Sequence, residues 1–152
     1  MLRLVAMLLV GVELGVAMVS AATMPSVASA RPPPDAVTPD GGRYYGPLVD
    51  GKRQGQGRVE WDAGTVYVGG FVDGLYAGRG HLEMPGGVVY DGEFAKGIMS
   101  GHGALTTPAG GNYVGDFVDG AFDGNGRYTL ANGSVYEGDF HRGQFDGQGK
   151  YV

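Results

Sequence analysis

The chain has 152 residues, 31 of them glycine and none cysteine, with a formal charge of −5 at neutral pH. That length holds one modest domain, and the missing thiols exclude disulfides, thiolate metal sites, cysteine nucleophiles and a lipidated-cysteine anchor. The acidic balance speaks against nucleic acid or an anionic membrane as the main partner, because both call for a basic surface.

The first predicted element is an export signal. Arg3 supplies a basic start, Leu4 to Val12 form an apolar run, and a small-residue stretch ends at Ala28-Ser29-Ala30. These features predict a helical signal peptide over residues 1–30, cleaved after Ala30 or, as second choice, after Ala22. The competing expectation is an uncleaved membrane anchor through residues 2–22. Glu13 opposes it, since a carboxylate near the centre of a span costs roughly 2.5–3.5 kcal/mol. Export places the protein in the periplasm or outside the cell. Cleavage removes Arg3 and Glu13 together, so ten basic and fifteen acidic residues remain and the charge stays at −5. Residues 31–40, with Pro32, Pro33, Pro34 and Pro39, predict an extended, semi-rigid linker.

From residue 41 the chain repeats itself. Tyr44, Tyr67, Tyr90, Tyr113 and Tyr136 are spaced by 23 residues without insertion or deletion. Each is followed two places on by glycine (Gly46, Gly69, Gly92, Gly115, Gly138) and four places on by Leu48, Phe71, Phe94, Phe117 or Phe140. Four further glycine positions recur in the same register, so that 25 of the 31 glycines are periodic. Glycine within a strand costs about 0.5–1 kcal/mol relative to alanine. So many held in register imply a geometric demand, either positive φ at turns or close approach of one backbone to the next. Asp50-Gly51, Asp73-Gly74, Asp119-Gly120 and Asn132-Gly133 suit tight hairpin turns. Between turns the pattern alternates with period two: Tyr136, Gly138 and Phe140 on one face, Glu137 and Asp139 on the other. The returning strands place Val59, Leu82, Leu105, Tyr128 and Tyr151 on one face. The prediction is an all-β, single-layer antiparallel ribbon of five stacked β-hairpins, with strands of five or six residues. Its repeats cover 44–66, 67–89, 90–112, 113–135 and 136–152.

The pattern Tyr-x-Gly-x-Phe-x-x-Gly-x-x-x-Gly-x-Gly resembles the MORN (membrane occupation and recognition nexus) repeat. Tyr90-Asp91-Gly92-Glu93-Phe94 and Tyr136-Glu137-Gly138-Asp139-Phe140 carry the resemblance most closely. The first repeat departs from it, with Pro47 at the acidic position and Leu48 for phenylalanine, which suits an edge strand or cap. The resemblance implies a ribbon of hairpins used for protein contacts, self-association or phospholipid binding. In several relatives such repeats are joined to a lipid kinase or histone methyltransferase domain. Residues 1–43 are too few to hold one, so no such activity is carried over.

A single sheet packs one face, which leaves the tyrosine row Tyr44, Tyr67, Tyr90, Tyr113 and Tyr136 two fates. It is either repeat core or the lining of an open groove, for which tyrosine offers apolar area with a polar tip. After the turns come Leu75-Tyr76, Ile98-Met99, Ala121-Phe122 and Gln144-Phe145. Of these, Leu75, Tyr76, Ile98, Met99, Phe122 and Phe145 are candidate contact residues: they form either a lid over the core or an exposed apolar stripe. The edge near Tyr151 and Val152 is a candidate dimer contact.

No catalytic set emerges. His81, His102 and His141 occupy three different repeat positions, and Ser100 with His102 is too thin a pair for a nucleophile and base. Asp119-Gly120 and Asp123-Gly124-Asn125-Gly126 lack the distal glutamate of an EF-hand calcium loop. Gly78-Arg79-Gly80 lacks the rest of a dinucleotide fingerprint. The expectation is therefore a non-catalytic scaffold with no cofactor and no metal, binding a protein partner or a second copy of itself. Association with membrane phospholipid or with cell-wall glycan is the alternative.

Overall fold

The computed structural model describes residues 31–151; the expected signal segment and its cleavage sites lie outside them. Turns set the period. In every repeat two successive residues take positive φ: Asp50 and Gly51, Asp73 and Gly74, Lys96 and Gly97, Asp119 and Gly120, Arg142 and Gly143. The values of 51° at Asp73 and 83° at Gly74 fit a two-residue type I′ turn, whose twist matches that of the strands it joins. A wider turn closes the opposite end. There the N–H of Gly41, Gly64, Gly87, Gly110 or Gly133 donates to the carbonyl three residues earlier at 2.9–3.2 Å. Asn132-Gly133, expected as a tight turn, belongs to this wider class, since only its glycine has positive φ.

The strands are β1 (Ala36–Val37), β2 (Arg43–Tyr45), β3 (Leu48–Val49), β4 (Lys52–Arg53), β5 (Gly55–Glu60), β6 (Val66–Val72) and β7 (Leu75–Met84). They continue with β8 (Val88–Ala95), β9 (Ile98–Thr106), β10 (Asn112–Val118), β11 (Ala121–Thr129), β12 (Val135–His141) and β13 (Gln144–Tyr151). Eleven of them form one sheet in the order β1-β2-β5-β6-β7-β8-β9-β10-β11-β12-β13, and β3 pairs with β4 alone. All these pairings are antiparallel. The ribbon predicted from the sequence is the fold observed, with no helix among the described residues.

Two expectations need correction. Strands β6 to β13 run from seven to ten residues, longer than the five or six expected. The cause is a bulge inside each of the four later repeats. Gly115 faces Gly126 while Asp116 faces Asp123, so the returning strand carries Gly124 and Asn125 as extra residues. Equivalent shifts follow Gly69, Gly92 and Gly138. A bulge lets a strand twist and run on to the turn instead of ending. In the first repeat Pro47 stands at this point without an N–H to donate, and the β3–β4 hairpin is detached from the main sheet.

The second correction concerns the linker over 31–40. Ala36 pairs with Tyr44 and Val37 with Arg43. The Asp35 N–H donates to the Tyr44 carbonyl at 2.8 Å, and the Asp35 carboxylate accepts from the Gly46 N–H at 2.8 Å. From Asp35 onward the segment is half a repeat: Ala36 lies 23 residues before Val59, and Thr38 lies 23 before Trp61. The spacer reading fails here because local proline content does not count the backbone bonds that the first full hairpin leaves on offer.

One face of the sheet is aromatic. Tyr44, Tyr67, Tyr90 and Tyr113 are 0% exposed, and Tyr136 is 5% exposed. Phe71, Phe94, Phe117 and Phe140 each lie edge-on between two of these tyrosines. Phe94, for example, has its ring centroid 5.1 Å from Tyr67 and 5.2 Å from Tyr90, both at 90°. Such pairs contribute about 0.5–1.5 kcal/mol each beyond area burial. They also bind each repeat to the one before it.

The glycines explain how a tyrosine can lie flat. Gly57, Gly69, Gly80, Gly92, Gly103, Gly115, Gly126, Gly138 and Gly149 pair in sequence across the sheet as a continuous row. A Cβ on Gly103 would stand 2.6 Å from the Tyr90 ring and hydroxyl, well inside contact distance. On the outer side, Tyr76 stacks on Tyr67 at 3.7 Å and 15°, and Phe122 stacks on Tyr113 at 3.8 Å and 15°. The tyrosines are thus sandwiched between bare backbone and a lid. That is how a one-layer sheet acquires a core.

Candidate binding surfaces

The tyrosine row offers no ring face to solvent. Its hydroxyls turn inward: those of Tyr44, Tyr67, Tyr90, Tyr113 and Tyr136 donate to the carbonyls of Pro47, Gly70, Glu93, Asp116 and Asp139 at 2.9, 2.9, 2.9, 3.0 and 3.4 Å. Burial pushes the phenols of Tyr67, Tyr90 and Tyr113, and of the lid residue Tyr76, up to about 12. All four stay protonated at neutral pH, and those of Tyr67, Tyr90 and Tyr113 serve as donors.

The residues after the tight turns divide into two sets. Tyr76, Met99 and Phe122 are half-buried against the core. Leu75 at 50%, Ile98 at 47% and Phe145 at 48% are exposed. Leu75 and Ile98 lean along the edge toward the next repeat, close to Gly97 and Gly120 respectively. Val49, Val72 and Val118 are exposed on the same turn edge, although the sequence did not single them out. Their signal was present: each immediately precedes a positive-φ turn residue. The result is an aliphatic stripe along one long edge, set among Asp73, Lys96 and Asp119.

Strand β13 is exposed along its whole length and pairs on one side, with β12. At the opposite end of the sheet stands β1, two residues long and preceded by three prolines. Short, proline-guarded strands blunt an edge, whereas a longer unpaired strand offers its backbone to another chain.

The second face of the sheet is polar. Across it Arg58, Val68, His81, Asp91, Ala104, Val114, Arg127, Glu137 and Lys150 face one another from strand to strand. His81 contacts Asp91 at 2.6 Å and Glu83 at 3.1 Å, and the hydrogen bond to Asp91 raises its pKa above the ordinary histidine value. His102 contacts Asp116 at 3.1 Å and His141 contacts Asp123 at 3.1 Å. The three imidazoles bond to separate sets of carboxylates and do not converge. Among the described residues no group of three or more histidine and carboxylate side chains is placed to hold a metal ion.

Stacked hairpins joined only to their neighbours define a repeat ribbon, a class that presents an extended surface. The chain belongs to the MORN repeat family: the family's repeat matches residues 44–66, 67–89, 90–112, 113–135 and 136–152. That repeat is a binding module, generally non-catalytic, involved in protein and membrane interactions. No curated protein matches the chain.

Proposed function

We propose that this protein is a non-catalytic scaffold that binds a protein partner or a second copy of itself in the cell envelope or outside the cell. The observation that carries the reading is the aliphatic stripe of Val72, Leu75, Ile98 and Val118, each about half exposed on one edge. Contiguous exposed apolar surface with a charged surround marks an interaction site. Phe145 continues that edge into β13, whose open backbone suits pairing with another strand. The location rests on the leader-like residues 1–30 alone. Phospholipid association is the weaker reading, because the formal charge of −5 repels an anionic bilayer.

Crosslinking the full chain in its native cells, followed by affinity capture, tests the proposal. A discrete partner or a homodimer is expected. Leu75→Lys combined with Ile98→Lys should abolish its capture while leaving the sheet folded, since both side chains face solvent. A strictly monomeric protein with nothing captured, or capture unaffected by the double substitution, would overturn it.

A further inference from the structure

A hollow at the amino-terminal end of the aromatic face has a lining that the later repeats do not reproduce. It has a volume of about 400 Å³ and is lined by Thr38, Asp40, Arg53, Trp61, Leu75 and Tyr76, among others. That volume lies toward the lower end of the ~300–1,000 Å³ range of small-molecule sites. The repeat register shows what is unusual. Arg53 occupies the place held by Tyr76, Met99, Phe122 and Phe145 in the later repeats. Trp61 occupies the place of Met84, Thr107 and Leu130, and Asp40 the place of Ala63, Gly86, Ala109 and Asn132. Three register positions thus change character together, and all three side chains line one space. Toward the other end of the ribbon, a hollow of about 430 Å³ between lid residues is lined by Phe122, Tyr128, Leu130, Phe140 and Phe145, with Gln144. Its lining has no charge.

The polar groups of the amino-terminal hollow are held in place. Asp40 accepts from the Thr38 hydroxyl and from Trp61, and these bonds lower its pKa. The Thr38 hydroxyl in turn accepts from the Gly42 N–H at 2.7 Å. The Arg53 guanidinium lies over the Phe71 ring, 5.3 Å from its centroid, and donates to the Gly74 carbonyl at 2.5 Å. Trp61 packs over Gly42, where a Cβ would meet the indole at 2.6 Å. Tyr76 is fixed by its stacking on Tyr67.

The chemistry narrows the ligand. An anion would meet Asp40 and a cation would meet Arg53, so the two opposite charges disfavour a ligand of net charge. A wholly apolar one would strip water from both charges without replacing its hydrogen bonds. The lining offers an acceptor in Asp40, a donor in Arg53, a remaining acceptor lone pair on Thr38, a hydroxyl that does both in Tyr76, and an indole for an apolar ring face. A pyranose ring carries adjacent hydroxyls around its rim and C–H groups on its face. We infer that the hollow bounded by Asp40, Arg53, Trp61 and Tyr76 is a binding subsite for a neutral saccharide.

Trp61 is the single tryptophan of the chain, so its fluorescence reports on this hollow directly. The full chain would be titrated with cellotriose, maltotriose and tri-N-acetylchitotriose while following that emission. A saturable change with at least one of the three, at concentrations on the order of 10 mM or below, is expected. Asp40→Asn and Arg53→Met should each weaken it at least about tenfold, the loss expected when a charged hydrogen-bond partner of the ligand is removed. Phe145→Leu, at the far end of the ribbon, should leave it unchanged, and a β-sheet circular dichroism spectrum confirms that each variant is folded. No saturable response to any of the three sugars, or one that survives both Asp40→Asn and Arg53→Met, would overturn the inference. Leu75 lines this hollow as well as the stripe, so Ile98→Lys alone, outside the hollow, separates the two readings: it should weaken partner capture and leave the sugar response unchanged.

Discussion

Each core tyrosine has a hydroxyl with one structural task. It reaches over the glycine row to the carbonyl three residues ahead, a carbonyl that in the first repeat also accepts from the Gln54 N–H at 3.0 Å. A buried hydroxyl left without an acceptor costs about 1–3 kcal/mol, so this bond lets the phenol lie inside the aromatic core. Tyr90→Phe removes the 2.9 Å bond to the Glu93 carbonyl and keeps the ring. The expected loss is about 1–2 kcal/mol, read as a lower urea midpoint with an unchanged slope. Tyr136→Phe should cost less, because its bond to Asp139 is 3.4 Å. Equal losses at the two sites would contradict this role. The spacing of tyrosine and glycine was plain in the sequence, and so was the aromatic row. The hydroxyl's partner was not, because a bulge carbonyl becomes visible only once the extra residues of the returning strand are placed.

Within one hairpin, the tight turn and the bulge divide the work. The turn requires two successive residues at positive φ, and its glycine meets that demand freely. Its first residue does not. Aspartate tolerates the left-handed region better than most residues, but Lys96 adopts a φ of 52° and Arg142 one of 50°. A long side chain there carries strain of about 1–2 kcal/mol. Asparagine is favoured at this place in type I′ turns. Lys96→Asn is therefore expected to stabilise the protein by about 0.5–1 kcal/mol, measured as a raised thermal midpoint. A fall would mean that Lys96 makes a contact that outweighs its backbone strain. The alternation also held the answer to the lid question. Tyr76 and Leu82 share parity, and an insertion of two residues preserves it, so both face the core. What obscured this was chemical: Leu75 and Tyr76 are both apolar, and composition alone does not say which turns inward. Arg53 and Trp61 are hard to read for the opposite reason. Their signal is a break in the register, which stands out only when each repeat place is compared down the array.

Across the whole ribbon, stability is a sum over repeats and the contacts between neighbours. Removing residues 90–112, one complete period, should leave a shorter folded ribbon. Its urea slope is expected to drop by about a fifth, in proportion to the surface exposed on unfolding. Deleting one residue fewer should be far more damaging, because a single-residue slip turns every following side chain to the opposite face. Circular dichroism and urea titration of the two deletions decide the matter. Equal stability in both would show that the register is not what holds the ribbon together. The half-repeat from Asp35 belongs to the same accounting: it covers the first hairpin, as a terminal cap must.

Between repeats, the N–H of each turn glycine donates backward. Gly74 reaches the carbonyl of Arg53, Gly97 that of Tyr76, Gly120 that of Met99 and Gly143 that of Phe122, at 2.8–3.0 Å. The linkage therefore has a direction, and it matches the order in which a polypeptide is synthesised or threaded through an export channel. Every later hairpin finds a docking platform already built when it emerges, and its phenylalanine then completes the packing of the tyrosine before it. A chain put together in this way can close behind its own leading end, keeping sticky aromatic surface uncovered for little longer than one unit takes to appear.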